Sequence, residues 1–154
     1  MRGSALLMVA VVMLLATGSL AALPAPMSEK ELLEKSDFVG SVKVLGVACT
    51  GMEAAANMEQ VLVWEAWLQV ESVKKGSVKP RETILVRWRD VPRKLIGPWT
   101  VPYFPGEVVS THLEWDAKTR TFRTTWWNAK GEPTRPAKEK KLPQQPGEVL
   151  LGGS

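Results

Sequence analysis

The sequence predicts an all-β protein, a small five-stranded Greek-key barrel preceded by one short helix, and three observations carry that reading. Between Gln60 and Arg89 two apolar-alternating runs are joined by a short Lys/Gly/Pro connector: Leu62, Trp64, Ala66, Leu68 and Val70 share one face of the first run, and Ile84, Val86 and Trp88 share one face of the second. Between Glu107 and Trp127 a second pair of alternating runs brackets Asp116-Ala117-Lys118-Thr119-Arg120, the pattern of a β-hairpin with a five-residue loop. No long stretch repeats its apolar residues at helical spacing. A chain of 154 residues with 45% hydrophobic and 23% charged residues suits a single core of this kind rather than two.

Residues 1–21 read as a signal peptide. Arg2 supplies the positive start, Ala5 to Ala16 is an unbroken apolar run, and Ser19-Leu20-Ala21 places small residues where a signal peptidase cuts, after Ala21 or Ala22. The apolar run is shorter than the ~20 residues that span a bilayer, and an uncleaved anchor that extends it through Leu23 is the alternative. Both place the domain outside the cytoplasm, periplasmic or extracellular, with membrane attachment only if the leader is retained. No Cys follows the apolar run, which excludes a lipoprotein anchor.

Residues 22–36 are a linker and a short capped helix. Met27-Ser28-Glu29-Lys30-Glu31-Leu32 has Ser28 as N-cap, Glu31 three residues on to complete a capping box, and a Met27/Leu32 staple; the helix ends near Lys35 or Ser36. The barrel then occupies 37–131. Its first strand runs from Phe38 to Val47, with Gly40 and Gly46 marking bulges or bends. Cys49 to Glu59 is a weakly patterned connection. Lys74 to Arg81 is a basic, solvated turn. Asp90 to Gly106, with Pro92, Pro98, Pro102, Pro105 and embedded Trp99, Tyr103 and Phe104, cannot be a helix or a central strand, so its aromatics either pack down on the barrel or stand out as a ligand platform. Residues 132–154 are rich in Pro, Lys, Glu and Gln and read as a largely extended or disordered tail.

Little in the chain points to catalysis. Its single His, His112, and single Cys, Cys49, make no nucleophile-base pair or metal-ligand set, and no Gly-rich phosphate loop is present. His112 reads as a satisfied surface residue and Cys49 as a small buried apolar group, with an intermolecular disulfide as its alternative role. We expect no enzyme activity, cofactor or metal. The formal charge of +4 is a mild bias that excludes no class of partner.

Three segments, Ser36-Asp37-Phe38-Val39-Gly40-Ser41-Val42, Trp67 to Gly76 and Tyr103-Phe104-Pro105-Gly106-Glu107-Val108-Val109, resemble in order the segments of netrin-like domains. These are the OB-fold barrels shared by tissue inhibitors of metalloproteinases and exported bacterial relatives. The resemblance spans roughly Lys35 to Trp127 and implies an OB-fold-like barrel. It does not carry inhibition with it, because those inhibitors chelate the protease zinc through an N-terminal Cys, and Cys49 lies far from the expected mature N-terminus.

Seven tryptophans are many for one small domain. Trp64, Trp88 and Trp126 fall on apolar strand faces and belong to the core. Trp67 and Trp127 fall on the mixed faces with Arg87, Arg89 and Arg123, an indole and guanidinium pattern suited to binding along a sheet. The candidate contact residues are therefore Trp67, Arg87, Arg89, Arg123 and Trp127 on the sheet, and Trp99, Tyr103 and Phe104 in the 90–106 loop. Two functions follow: an envelope interaction domain that docks a protein partner, or a module for an envelope polysaccharide or other anionic polymer. Export argues against nucleic acid as a physiological ligand. A third outcome is that the N-terminal helix or the Pro-rich loop covers both indoles.

Overall fold

A computed structural model describes residues 24–55, 59–90 and 100–153. Helix α1 (Glu29–Lys35) is followed by strands β1 (Phe38–Ala54), β2 (Gln60–Lys75), β3 (Thr83–Arg89), β4 (Val108–Asp116), β5 (Thr121–Thr124) and β6 (Val149–Leu151). β1 pairs with both β2 and β4, β2 with β3, β3 in parallel with β5, and β5 with β4, so five strands close in the order β1-β2-β3-β5-β4-β1. That is an OB-fold-like Greek-key barrel with one short helix. The leader expected over 1–21 lies outside the described residues; among those described, no helix is long and apolar enough to cross a membrane.

α1 starts as its sequence dictates. The Ser28 side chain accepts from the Glu31 N–H, and the Glu31 carboxylate accepts from the Ser28 N–H at 2.8 Å, the two halves of a capping box. These bonds hold the Glu31 carboxyl below its usual pKa. At the other end Lys75 Nζ donates to the Leu33 carbonyl at 2.7 Å, and the Ser36 hydroxyl joins Thr125 at 2.8 Å. The helix is thereby tied to the strand region that it precedes.

β1 is 17 residues long and reaches Ala54, well past the Val47 end expected for it. The 16 residues of β2 explain the difference: so long a strand needs a partner of matching length to satisfy its backbone. Register shifts at Val39/Gly40, Ser41/Val42, Val44/Gly46 and Cys49/Gly51 bend β1, so that its first half faces β4 and its second half faces β6. At Gly40 a Cβ would stand 2.1 Å from the Ser72 carbonyl oxygen, a distance only glycine permits.

The core is built from the inward positions of β1 to β4, with Phe122 of β5 packed against it: Phe38, Val42, Val44 and Val47 of β1, Trp64, Ala66, Leu68 and Val70 of β2, Ile84, Val86 and Trp88 of β3, and Val109 and Leu113 of β4. Trp64 and Trp88 stack at 6.0 Å between ring centres, and Tyr103 tilts against Trp88 at 5.8 Å. Cys49 is buried among these residues as a free thiol.

Two expectations change. β5 stops at Thr124 rather than Trp127: the Thr125 N–H still donates to the His112 carbonyl opposite it on β4, but His112 gives its own N–H to the Ala129 carbonyl, and Ala129 closes a turn onto Trp126. Trp126 consequently leaves the core face, and its indole N–H donates to the Ala25 carbonyl at 3.0 Å. The tail read as extended or disordered is extended but anchored. Trp64 Nε1 donates to the Pro143 carbonyl at 3.0 Å, Leu142 packs on the core, and Val149–Leu151 forms β6 on β1.

Candidate interaction surface

The outward positions of β3, β2, β1 and β6 line up across the sheet. Leu85 pairs with Trp67, Trp67 with Gly46, and Gly46 with Leu151. The row is apolar from end to end. Its central glycine allows the close crossing of β6, since a Cβ on Gly46 would meet Leu151 Cδ2 at 2.9 Å and the Leu150 carbonyl oxygen at 3.0 Å. Trp67 is half-buried, while Leu151 is 76% exposed and Val149 50%.

One register step away the face becomes ionic. Arg87 Nη2 meets Glu53 Oε1 at 2.6 Å and its Nη1 lies 3.8 Å from Glu65, and Arg89 reaches the same Glu53 at 3.4 Å. Arg123, on the outer side of β5, holds Glu114 at 3.0 Å, which raises the guanidinium pKa further above its usual value. Opposite β2, Arg87 pairs with Glu65 and Arg89 with Val63, two and four residues from Trp67, and each predicted arginine is engaged by a carboxylate, Glu53 being shared by Arg87 and Arg89. The sequence reading missed Glu53 because it treated Cys49 to Glu59 as a loop; the length of β2 was the available signal.

The remaining predicted contacts separate. Trp127 is not beside Trp67: its indole N–H donates to the Pro24 carbonyl at 3.1 Å, and Asn128 completes the clasp with two bonds to the Met27 backbone. The N-terminal segment thus covers this indole. Tyr103, offered as a contact, is fully buried. Its hydroxyl bonds Thr111 at 2.7 Å and Thr124 at 3.1 Å, and burial pushes its pKa up to about 12. Phe104 is half-buried with Lys130 over its ring at 5.4 Å. Trp99 and the rest of 91–99 lie outside the described residues.

A polar cluster that the sequence did not announce sits below this loop. Lys130 Nζ contacts Glu107 at 2.5 Å and donates to the Pro102 carbonyl at 2.6 Å, and Glu107 accepts the Phe104 N–H at 2.9 Å. Burial holds the Lys130 ammonium below its usual pKa, against the opposing pull of Glu107. His112 is buried rather than a surface residue: its Nδ1 lies 3.3 Å from the Ala129 carbonyl, and its Nε2 lies 3.5 Å from Glu29 on α1 without hydrogen-bond geometry. Among the described residues no group of three His, Cys, Asp or Glu side chains converges on a metal position.

β6 supplies what the predicted list lacked. Cys49 donates to the Glu148 carbonyl and Gly152 to the Leu45 carbonyl, which fixes the hydrogen-bonded pairs of this ladder at 49/148, 47/150 and 45/152. The backbone groups of Val149 and Leu151 alternate with these and point away from β1. β6 ends the strand order, so among the described strands none pairs with that edge. The chain matches no family model, no curated protein and no solved structure.

Proposed function

We propose that this protein is an exported, non-enzymatic interaction domain of the cell envelope, periplasmic or extracellular, which docks a protein partner on the outer face of its barrel. The partner is an extended segment with apolar residues at alternate positions. It adds to the free edge of β6 and lays its side chains against Leu151, Val149 and Trp67. The observation that carries this reading is the open edge of β6 beside an exposed apolar row. Polymer binding through Arg87, Arg89 and Arg123 is disfavoured, because each guanidinium is already engaged by Glu53, Glu65 or Glu114. Export rests on the leader pattern of residues 1–21. A netrin-like relationship is part of the same proposal, resting on the quoted segments and compatible with the strand order.

The test is a peptide selection against the folded chain followed by amide mapping. Selected peptides should alternate apolar residues, shift the Val149 and Leu151 amides and the Trp67 indole, and lose binding to Leu151→Pro. That substitution removes an outward N–H at an edge where proline is tolerated. Peptides that bind Leu151→Pro as well as wild type would overturn the proposal.

A further inference from the structure

Behind β6 lies a groove of about 540 Å³, bordered by Lys43 of β1, the Pro105–Gly106 turn, β6 itself and the tail residues Arg135, Lys138 and Lys141. Its floor is backbone in close contact. Gly106 donates to the Val44 carbonyl, Gly152 donates to the Leu45 carbonyl, and a Cβ on Gly152 would lie 2.5 Å from the Gly106 nitrogen. Arg135 is fixed by its bridge to Val108. The backbone floor and the backbone of Arg135 are therefore in place before any ligand arrives.

The charge here differs in kind from that around Trp67. Elsewhere Arg87, Arg89, Arg123 and Lys130 each rest on a carboxylate. In the groove, none of Lys43, Arg135, Lys138 and Lys141 forms an ion pair among the described residues, and Glu139 is the one carboxylate in the lining. Four cations against one carboxylate leave a net positive charge that focuses a positive potential into the concavity. Its volume exceeds what one phosphate or sulfate fills and falls within the range of sites for larger ligands. The pyrrolidine faces of Pro105 and Pro136 and the side chain of Leu150 add apolar contact between the charges.

We propose that this groove binds a linear polyanion, an extended chain carrying sulfate, phosphate or carboxylate groups on successive units. The site adjoins the Trp67 row. Leu151 borders both, so the cations rather than Leu151 tell them apart.

The experiment is a calorimetric titration of the full chain with dextran sulfate, with neutral dextran as control, at 50 and 200 mM salt. Four displaced counterions predict an affinity that falls roughly 50- to 150-fold between those salts. Lys138→Gln/Lys141→Gln should bind more weakly at 50 mM and reduce the salt effect to roughly tenfold, with an unchanged melting midpoint, since both side chains are exposed. Lys74→Gln/Lys79→Gln, at the end of β2 and in the turn that follows it, should behave as wild type. Equal loss in both double variants would mean diffuse attraction and overturn the site. So would no binding of dextran sulfate, or binding of tripolyphosphate without dextran sulfate.

Discussion

At the scale of single residues, Tyr103, Glu107 and Lys130 are buried polar groups each held by named partners. Tyr103 is the only tyrosine, so its titration can be followed directly by phenolate absorbance. Its pKa of about 12 in the fold exceeds the ordinary 10, so the neutral form is favoured on folding. The stability it confers is complete below pH 10 and is lost as pH rises from 10 towards 12, because the unfolded chain releases its proton first. That loss should reach about 2–3 kcal/mol, and Tyr103→Phe should lack this part of the alkaline decline in urea midpoint. Lys130 and Glu107 make a second case. Lys130→Met leaves the buried Glu107 carboxylate without its cation and should cost about 3–5 kcal/mol. Lys130→Met/Glu107→Gln should be less damaging than the sum of the two single changes, read by chemical denaturation.

At the scale of elements, the sequence was legible wherever a segment carried its own signal. The capping box fixed α1, and period-two alternation fixed which side of β2, β3 and β4 faces inward, including Trp64 and Trp88. What could not be read depended on a partner elsewhere in the chain. β1 continues through the unpatterned Thr50 to Ala54 only because β2 is there to pair with it. β5 ends early because His112, opposite Thr125, gives its N–H to the carbonyl of Ala129 in the following turn. The same reason explains the candidate surface: Trp67 and its neighbouring arginines came from alternation, whereas the carboxylate of Glu53, the clasp on Trp127 and the edge of β6 arise from long-range contacts. β6 also gives an element-level prediction. Gly46→Ala should push Leu150 and Leu151 off β1, increasing amide exchange at Leu150 at least tenfold, while the barrel core around Val42 and Val70 stays protected. Equal exchange in wild type and Gly46→Ala would show that β6 does not depend on that close crossing.

At the scale of the whole molecule, the tail docks on a barrel that five strands already close. Its Pro- and Lys-rich composition hides three anchors, the Pro143 carbonyl on Trp64, Leu142 on the core and β6 on β1. By lying along β1 the tail creates both outer features, an open apolar edge on one side and a cationic groove on the other. The central claim is that β6 is formed yet unpaired on its outer edge, since the proposed docking mode needs both. Residue-resolved amide hydrogen exchange across Val149, Leu150 and Leu151 in the free protein tests this most directly. The account predicts that Leu150 is protected while Val149 and Leu151 exchange at close to the rate of an unstructured chain. Protection of Val149 and Leu151, or none at Leu150, would contradict it.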